Sequence, residues 1–195
     1  MKSTGRGMQI LRAADRAAVA WKNGGGLTRE VAAAPEGAGT GDFAWRVSLA
    51  EVAADGPFSA FPGVDRTLVL AEGAGMDLDV AGLRRVVDAR YAPQQFPGDV
   101  PTGCRLLDGP VVNFNVMHRR GLARAETAVV RGALTVEATP DGALLVVALQ
   151  GEAEVVSSGA GSVVLGSYDA ALITGSSSVA VRTTGRVAVV RTGPA

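Results

Sequence analysis

The 195-residue chain has one histidine and one cysteine, and that scarcity excludes much of enzyme and metal chemistry at once. Zinc hydrolases and non-haem iron oxygenases gather two or three histidines, with or without a carboxylate. His118 cannot supply such a set alone, so no transition-metal site or cofactor is expected. The same count leaves Ser-His-Asp and Cys-His arrangements without a base unless His118 serves, and the chain has no G-x-S-x-G elbow. His118 reads as an ordinary strand or loop histidine. Cys104 on its own excludes an internal disulfide and a thiolate cluster, which fits a reducing cytoplasm.

Net charge is missing too. Lys+Arg and Asp+Glu are both 19, so no field recruits nucleic acid or an anionic membrane, and neither is expected as a partner. No apolar run approaches 18 residues, and the N-terminal stretch "MKSTGRGMQILRAADRAAVAWKNGG" has no sustained apolar region ending in a clean cleavage site. A cytoplasmic location is the expectation. Lysine is confined to Lys2 and Lys22. The remaining basic residues are arginines, suited to planar, bidentate contact with carboxylate or phosphate wherever one is buried. Phosphate loops fail on inspection. Lys22 precedes its glycines instead of following them, and neither "EGAGTGD" (36–42) nor "AEGAGMDLD" (71–79) completes G-x-G-x-x-G before a helical pattern.

What the chain does have is alternation. In "FAWRVSLAEV" (43–52), Phe43, Trp45, Val47 and Leu49 share one face, and Ala44, Arg46, Ser48 and Ala50 the other. That period of two marks a strand. Comparable runs recur from "RTLVLAEG" (66–73) to "RVAVVRT" (186–192), with turn residues between them, and predict an all-β sandwich or barrel with little helix. "ILRAADRAAVAW" (10–21) has the alanines for one or two helical turns, and "AAAPEGAGTG" (32–41) reads as a loop between strands.

The halves resemble one another. "LVLAEG" (68–73) matches "VVALQG" (146–151) 78 positions on, and the Tyr91 to Gly98 segment matches Tyr168 to Gly175 77 positions on. A duplicated β unit follows: strand, Gly turn, two strands, then a Tyr-led loop ending in glycine. The expected architecture is therefore a single compact bicupin-like unit over 1–195, a double β-barrel or jelly roll. Arginine, asparagine and the aromatics crowd the first half. Residues 21–121 are expected to bear the ligand and 122–195 to brace them.

Three segments place costly groups on strand faces. Arg46 and Ser48 lie opposite Trp45. In "DGPFSAFPGVDR" (55–66), Phe58 and Phe61 anchor a rigid turn, and Arg66 shares its side with Leu68 and Leu70. An arginine buried there calls for an anionic partner. In "DGPVVNFNVMHRRG" (108–121), Asn113, Asn115, Met117 and Arg119 share one face, with His118 on the other. Asparagine is depleted in strands, so two of them two apart suggest amides held for hydrogen bonding. Finally "WKNGGGLTRE" (21–30) puts Asn23 and three glycines after Lys22. Glycine-run amides can cradle an anion, or the glycines can serve a turn through positive φ. A pocket formed by this loop with Arg46, Arg66 and Asn115 would suit a small carboxylate.

At these segments the chain resembles the HutD/Ves family of bicupin-like proteins. The matching stretches are "WKNGGGLTREV" (21–31), "FAWRVSLAEVAADGPFSAFPGVDRTLVLAEG" (43–73), "FPGD" (96–99) and "DGPVVNFNVMHRRG" (108–121). The resemblance implies a two-barrel cupin fold without the cupin metal motif. It also implies a regulatory link to histidine utilisation, with urocanate or N-formylglutamate as ligands, and no established enzymatic activity; another branch is linked to cold or stress responses. It marks Lys22, Asn23, Gly24, Gly25, Gly26, Arg46, Ser48, Arg66, Asn115, Met117 and Arg119 as site positions. Asn113 departs from it, standing where aspartate is expected.

The expected function is a metal-free binder of a small anionic metabolite, with no catalytic residue assigned. One alternative is a metal-free isomerase or hydrolase using Lys22, Asp65 or His118 as acid or base. The other is a stress-related interaction module, since exposed sheet edges leave room for a homodimer.

Overall fold

A computed structural model describes residues 7–195; residues 1–6, where the stretch read for a leader begins, lie outside the described residues. Among the described residues all regular structure is strand except one three-residue 3-10 turn, Ala13–Asp15, in agreement with the all-β reading. Among the described residues no helix is long and apolar enough to cross a membrane. The chain divides into two units, one of residues up to Asp15 with Arg124–Ala195, the other Arg16–Ala123.

The Arg16–Ala123 unit has two antiparallel sheets. The six-stranded sheet runs, edge to edge, Ala18–Ala20, Gly26–Ala34, Trp45–Val52, Val111–Arg119, Val64–Glu72 and Pro93–Pro97. The four-stranded sheet runs Gly56–Pro57, Thr102–Leu106, Met76–Val80 and Leu83–Val87. Alternation sends Val52, Leu68, Leu70 and Val111 from the larger sheet into one core with Met76, Leu78, Val80 and Cys104 from the smaller. Burial of such side chains contributes about 1.5–3 kcal/mol each. It also fixes register, because a slip by one residue would turn Arg66 and Leu68 outward together.

The other unit is one seven-stranded sheet that bends back over its own core. Its last strand, Ser177–Pro194, pairs with Ala153–Ser157 through Val179–Thr183 and with Ala143–Gln150 through Arg186–Thr192. Gly185 lies between the two pairings, where a Cβ would overlap the Gln150 carbonyl oxygen. Both arms of the bend supply valine, leucine and isoleucine to the core from their inner face, among them Leu144, Val155, Val181 and Ile173.

The repeat read from sequence is visible in the backbone. Val64–Glu72 pairs with Pro93–Pro97 as Ala143–Gln150 pairs with Ala170–Thr174, and each encloses a hairpin, Met76–Val80 with Leu83–Val87 and Ala153–Ser157 with Gly161–Leu165. Tyr91 and Tyr168 are both in the left-handed region, at φ 67° and 66°. Their amides donate to Leu70 and Ala148, at matching places in the two repeats.

Within 10–21 only Ala13–Asp15 turns helically, as a single 3-10 turn between the strands Gly7–Leu11 and Ala18–Ala20. Gly7–Leu11 pairs with Ala170–Thr174, and the backbone amide of Ala13 donates to Asp169 Oδ1 at 2.8 Å. Ladder bonds to a distant strand thus outweigh the weak helical preference of a few alanines. The predicted loop at 32–41 begins later than expected, since the strand continues to Ala34.

Candidate functional site

The central strand Val111–Arg119 lies between Trp45–Val52 and Val64–Glu72, and its register builds the site. Met117 is opposite Arg46 on one side and opposite Arg66 on the other. Directly paired residues project to the same face, so both arginines emerge in one row. One pleat further along, Asn115 sits between Ser48 and Leu68; beyond it, Asn113 sits between Ala50 and Leu70. The turn at 20–23, the 40–41 segment and the 57–62 turn complete the wall of a cavity of about 810 Å³. That lies within the usual range for small-molecule sites. Lys22, Asn23, Arg46, Ser48, Arg66, Asn115, Met117 and Arg119 all line it, while Gly24 and Gly25 do not.

Arg66 is the unusual group. It is 7% exposed, and its guanidinium lies 5.1–5.8 Å from the ring centres of Phe58, Phe61 and Phe96. Its one hydrogen bond among the described residues runs from NH2 to Asn115 Oδ1, at 3.2 Å, and its buried Nε has no partner. No Asp or Glu among the described residues pairs with it, although the sequence argument called for an anion. Burial accordingly pulls the guanidinium down to about 10. It remains protonated at neutral pH. The three rings offset part of the desolvation by cation–π attraction, and the balance is left for a ligand.

Arg46, Asn115 and Arg119 are already engaged. Arg46 is 13% exposed at its side chain and donates from Nε to Glu30 Oε2 at 2.7 Å, so its charge is paired within the protein. Asn115 is occupied by Arg66, and its Nδ2 donates to the Asn113 carbonyl at 3.5 Å. It therefore holds the guanidinium in place. Arg119 donates from Nε to Phe43 O, from NH1 to Pro62 O and from NH2 to Gly41 O, and it lies 5.7 Å from the Phe43 ring. It ties together two cavity-lining segments. Arg119→Ala should cost about 2–3 kcal/mol, the sum of several partly exposed charge-assisted bonds. Arg119→Lys should recover little, because an ammonium cannot reproduce the planar fork. Urea denaturation measures both, and a loss under 0.5 kcal/mol would contradict the role.

The triple glycine has a steric explanation. Gly24 turns through φ 71°, and a Cβ on Gly26 would overlap the Glu51 carbonyl oxygen on the neighbouring strand. The Gly24 amide donates to Trp21 O and the Gly25 amide to Asn23 Oδ1. These amides complete the turn and are not offered to an anion. Lys22 stands exposed at the rim.

Some contributors were visible in sequence without an assigned role. Phe96, from "FPGD", lies under Arg66 because Phe96 and Arg66 are directly paired. Trp21 donates from Nε1 to Thr28 Oγ1 at 2.8 Å and meets Phe58 edge to face, closing another side. Asp65 and His118 are on the opposite face of their strands and do not line the cavity. There Asp65 pairs with Arg120 at 2.6 Å, and Arg120 also pairs with Asp99.

Burial holds the His118 imidazole below the ordinary histidine range, with Arg120 acting in the same direction and Asp65, 4.0 Å away, pulling the other way. With its folded pKa depressed, His118 is neutral in the fold while the unfolded chain takes up a proton. Stability therefore falls as pH drops through about 6.5. His118→Gln should flatten that part of the stability profile, and an unchanged slope would show that His118 contributes nothing.

Among the described residues no three His, Cys, Asp or Glu side chains form a group able to hold a metal ion. The HutD family model matches residues 13–190. The solved structure of HutD from Pseudomonas fluorescens SBW25, determined in a formate condition, is 31% identical with a TM-score of 0.85, over 96% of this chain and 99% of that one. An uncharacterised 21.2 kDa protein in the hutC 3′ region of Pseudomonas putida is 36% identical over 111 residues, 57% of this chain and 58% of that protein. Protein Ves of Cronobacter sakazakii is 38% identical over 110 residues, 56% of this chain and 59% of that protein. The chain thus matches less than two thirds of either curated relative. Cupin barrel proteins share the architecture at about 10% identity, a likeness of fold alone. With the family model spanning nearly the whole chain and a HutD structure superposing over almost its full length, the chain belongs to the HutD/Ves family.

Proposed function

We propose that this protein is a metal-free cupin-type binder of a small carboxylate of the urocanate or N-formylglutamate class, acting as a regulator in histidine utilisation. The observation that carries the reading is Arg66, a buried guanidinium on a cavity wall without a protein anion. A carboxylate supplies the missing charge and accepts from Nε. The aromatic rings around the guanidinium favour a flat or unsaturated ligand body. Two relatives, one called HutD and one encoded beside hutC, support the link to histidine utilisation. Of the three acid–base candidates, Asp65 and His118 lie off the cavity and Lys22 stands exposed at its rim, which favours binding over acid–base catalysis.

The test is a thermal-shift titration with urocanate, N-formylglutamate, formiminoglutamate, histidine, glutamate and formate. A ligand at 100 times its Kd adds about 2.7 kcal/mol of stability. One or a few carboxylates should give that shift. Silence across the panel would contradict the binder and favour an interaction module.

A further inference from the structure

Among the described residues, two buried groups of opposite sense lack partners on the wall of this cavity: the Nε donor of Arg66 and the Oδ1 acceptor of Asn113. The first asks for an anion; the second asks for a hydrogen. Asn113 is 1% exposed, and its strand neighbours on the same face are Ala50 and Leu70, which have nothing to donate. Its own Nδ2 is turned to Met76 Sδ at 3.7 Å. The adjacent amide, Asn115, is engaged with Arg66 and the Asn113 backbone. The protein thus leaves this acceptor without a donor.

Buried polar atoms in folded proteins are nearly always paired, and an unpaired one is costly where an apolar side chain of the same shape would be neutral or better. Packing alone therefore gives no reason for an asparagine here. We infer that the ligand carries, beside its carboxylate, an N–H or O–H donor, and that Asn113 is the residue that selects for it. This rests on the carboxylate reading above and adds a second requirement to it. The χ2 torsion of asparagine is soft, so the amide can turn onto the donor. A neutral amide oxygen accepts without competing for the guanidinium, as a carboxylate at the same position would.

The spacing sets the ligand's size. Asn115, which holds the Arg66 guanidinium, and Asn113 are one pleat apart on the same face, a separation of about 7 Å. The donor therefore sits only a few bonds from the carboxylate. A ligand presenting a carbonyl or ether oxygen there would face Oδ1 acceptor to acceptor and be rejected.

Matched probes test this by calorimetry. Urocanate is compared with 3-(1,3-oxazol-4-yl)acrylate, in which a ring oxygen replaces the N–H, and N-formylglutamate with 2-formyloxyglutarate, in which an ester oxygen does. In at least one pair the donor-bearing member should bind at least tenfold more tightly to the wild type, about 1.4 kcal/mol. Asn113→Leu should reduce that ratio to within threefold, while Asn113→Asp, which keeps an acceptor, should weaken both members and preserve the ratio. Equal affinities within each pair in the wild type would overturn the inference, and that comparison needs no variant to fold. An unchanged ratio in Asn113→Leu would overturn the assignment to Asn113. Failure of every probe to bind, or undiminished binding in Arg66→Met, would instead remove the carboxylate reading and this inference with it.

Discussion

With ligand at 100 times the wild-type Kd, Arg66→Met should cut the carboxylate-dependent stabilisation by about two thirds or more, while leaving the ligand-free protein within about 1 kcal/mol of wild type. Losing a guanidinium that receives a buried carboxylate costs about 2–5 kcal/mol of binding, a weakening of at least thirtyfold. The effect on the free protein is a small difference of opposing terms. Removing a buried charge without an anionic partner relieves a desolvation penalty of roughly several kcal/mol. Against this, Asn115 Oδ1 loses its donor, at about 1–3 kcal/mol, and three desolvated ring contacts lose their cation, each at up to about 2 kcal/mol. Methionine fills much of the space among the phenylalanines. If the variant instead lost several kcal/mol without ligand and kept its affinity, Arg66 would be a structural residue and the site would be elsewhere.

The second large effect belongs to the glycine run. Gly26→Ala should destabilise the protein by about 2–4 kcal/mol, because the new Cβ overlaps the Glu51 carbonyl oxygen and touches the Trp21 ring. Relief requires moving one strand of the six-stranded sheet away from its neighbour, a backbone displacement that belongs to the costly class of substitutions. Gly24→Ala has open space around it, and its cost is that of holding a left-handed alanine, about 1 kcal/mol. Gly25→Ala meets only Asn23 Oδ1 at 3.4 Å and should be nearly silent. The order 26, 24, 25 in urea denaturation distinguishes a steric turn from a ligand-binding loop. A loop that cradled the anion through its amides would show the reverse signature, with affinity falling and stability intact.

Most of the fold could be read from the sequence because alternation is a local signal that tertiary structure seldom reverses when both faces are committed. The same parity argument put Arg46 with Ser48, and Asn113 with Asn115 and Met117, on shared faces. It could not bring these faces together. Convergence depends on Met117 being opposite both Arg46 and Arg66, a matter of register between strands far apart in the chain. The shortness of the helical turn in 10–21 has the same origin: only Ala13–Asp15 turns, and Gly7–Leu11 takes its conformation from a partner more than 150 residues away. Arg119 shows a different limit. Its position on the site face was legible, but its three acceptors are backbone carbonyls of turns, which carry no side-chain signature. Arg66 was legible as buried; that no protein carboxylate answers it required the whole described structure.

That Arg66 receives the ligand's anion is tested most directly by 15N–1H NMR of the arginine Nε–H groups, with the Arg66 signal assigned by its absence from Arg66→Met. Addition of the carboxylate that gives the largest thermal shift should move this signal strongly and slow its exchange with water, because a buried donor without a partner gains one. Saturating ligand that moved other resonances but left the Arg66 Nε–H in place would contradict the assignment.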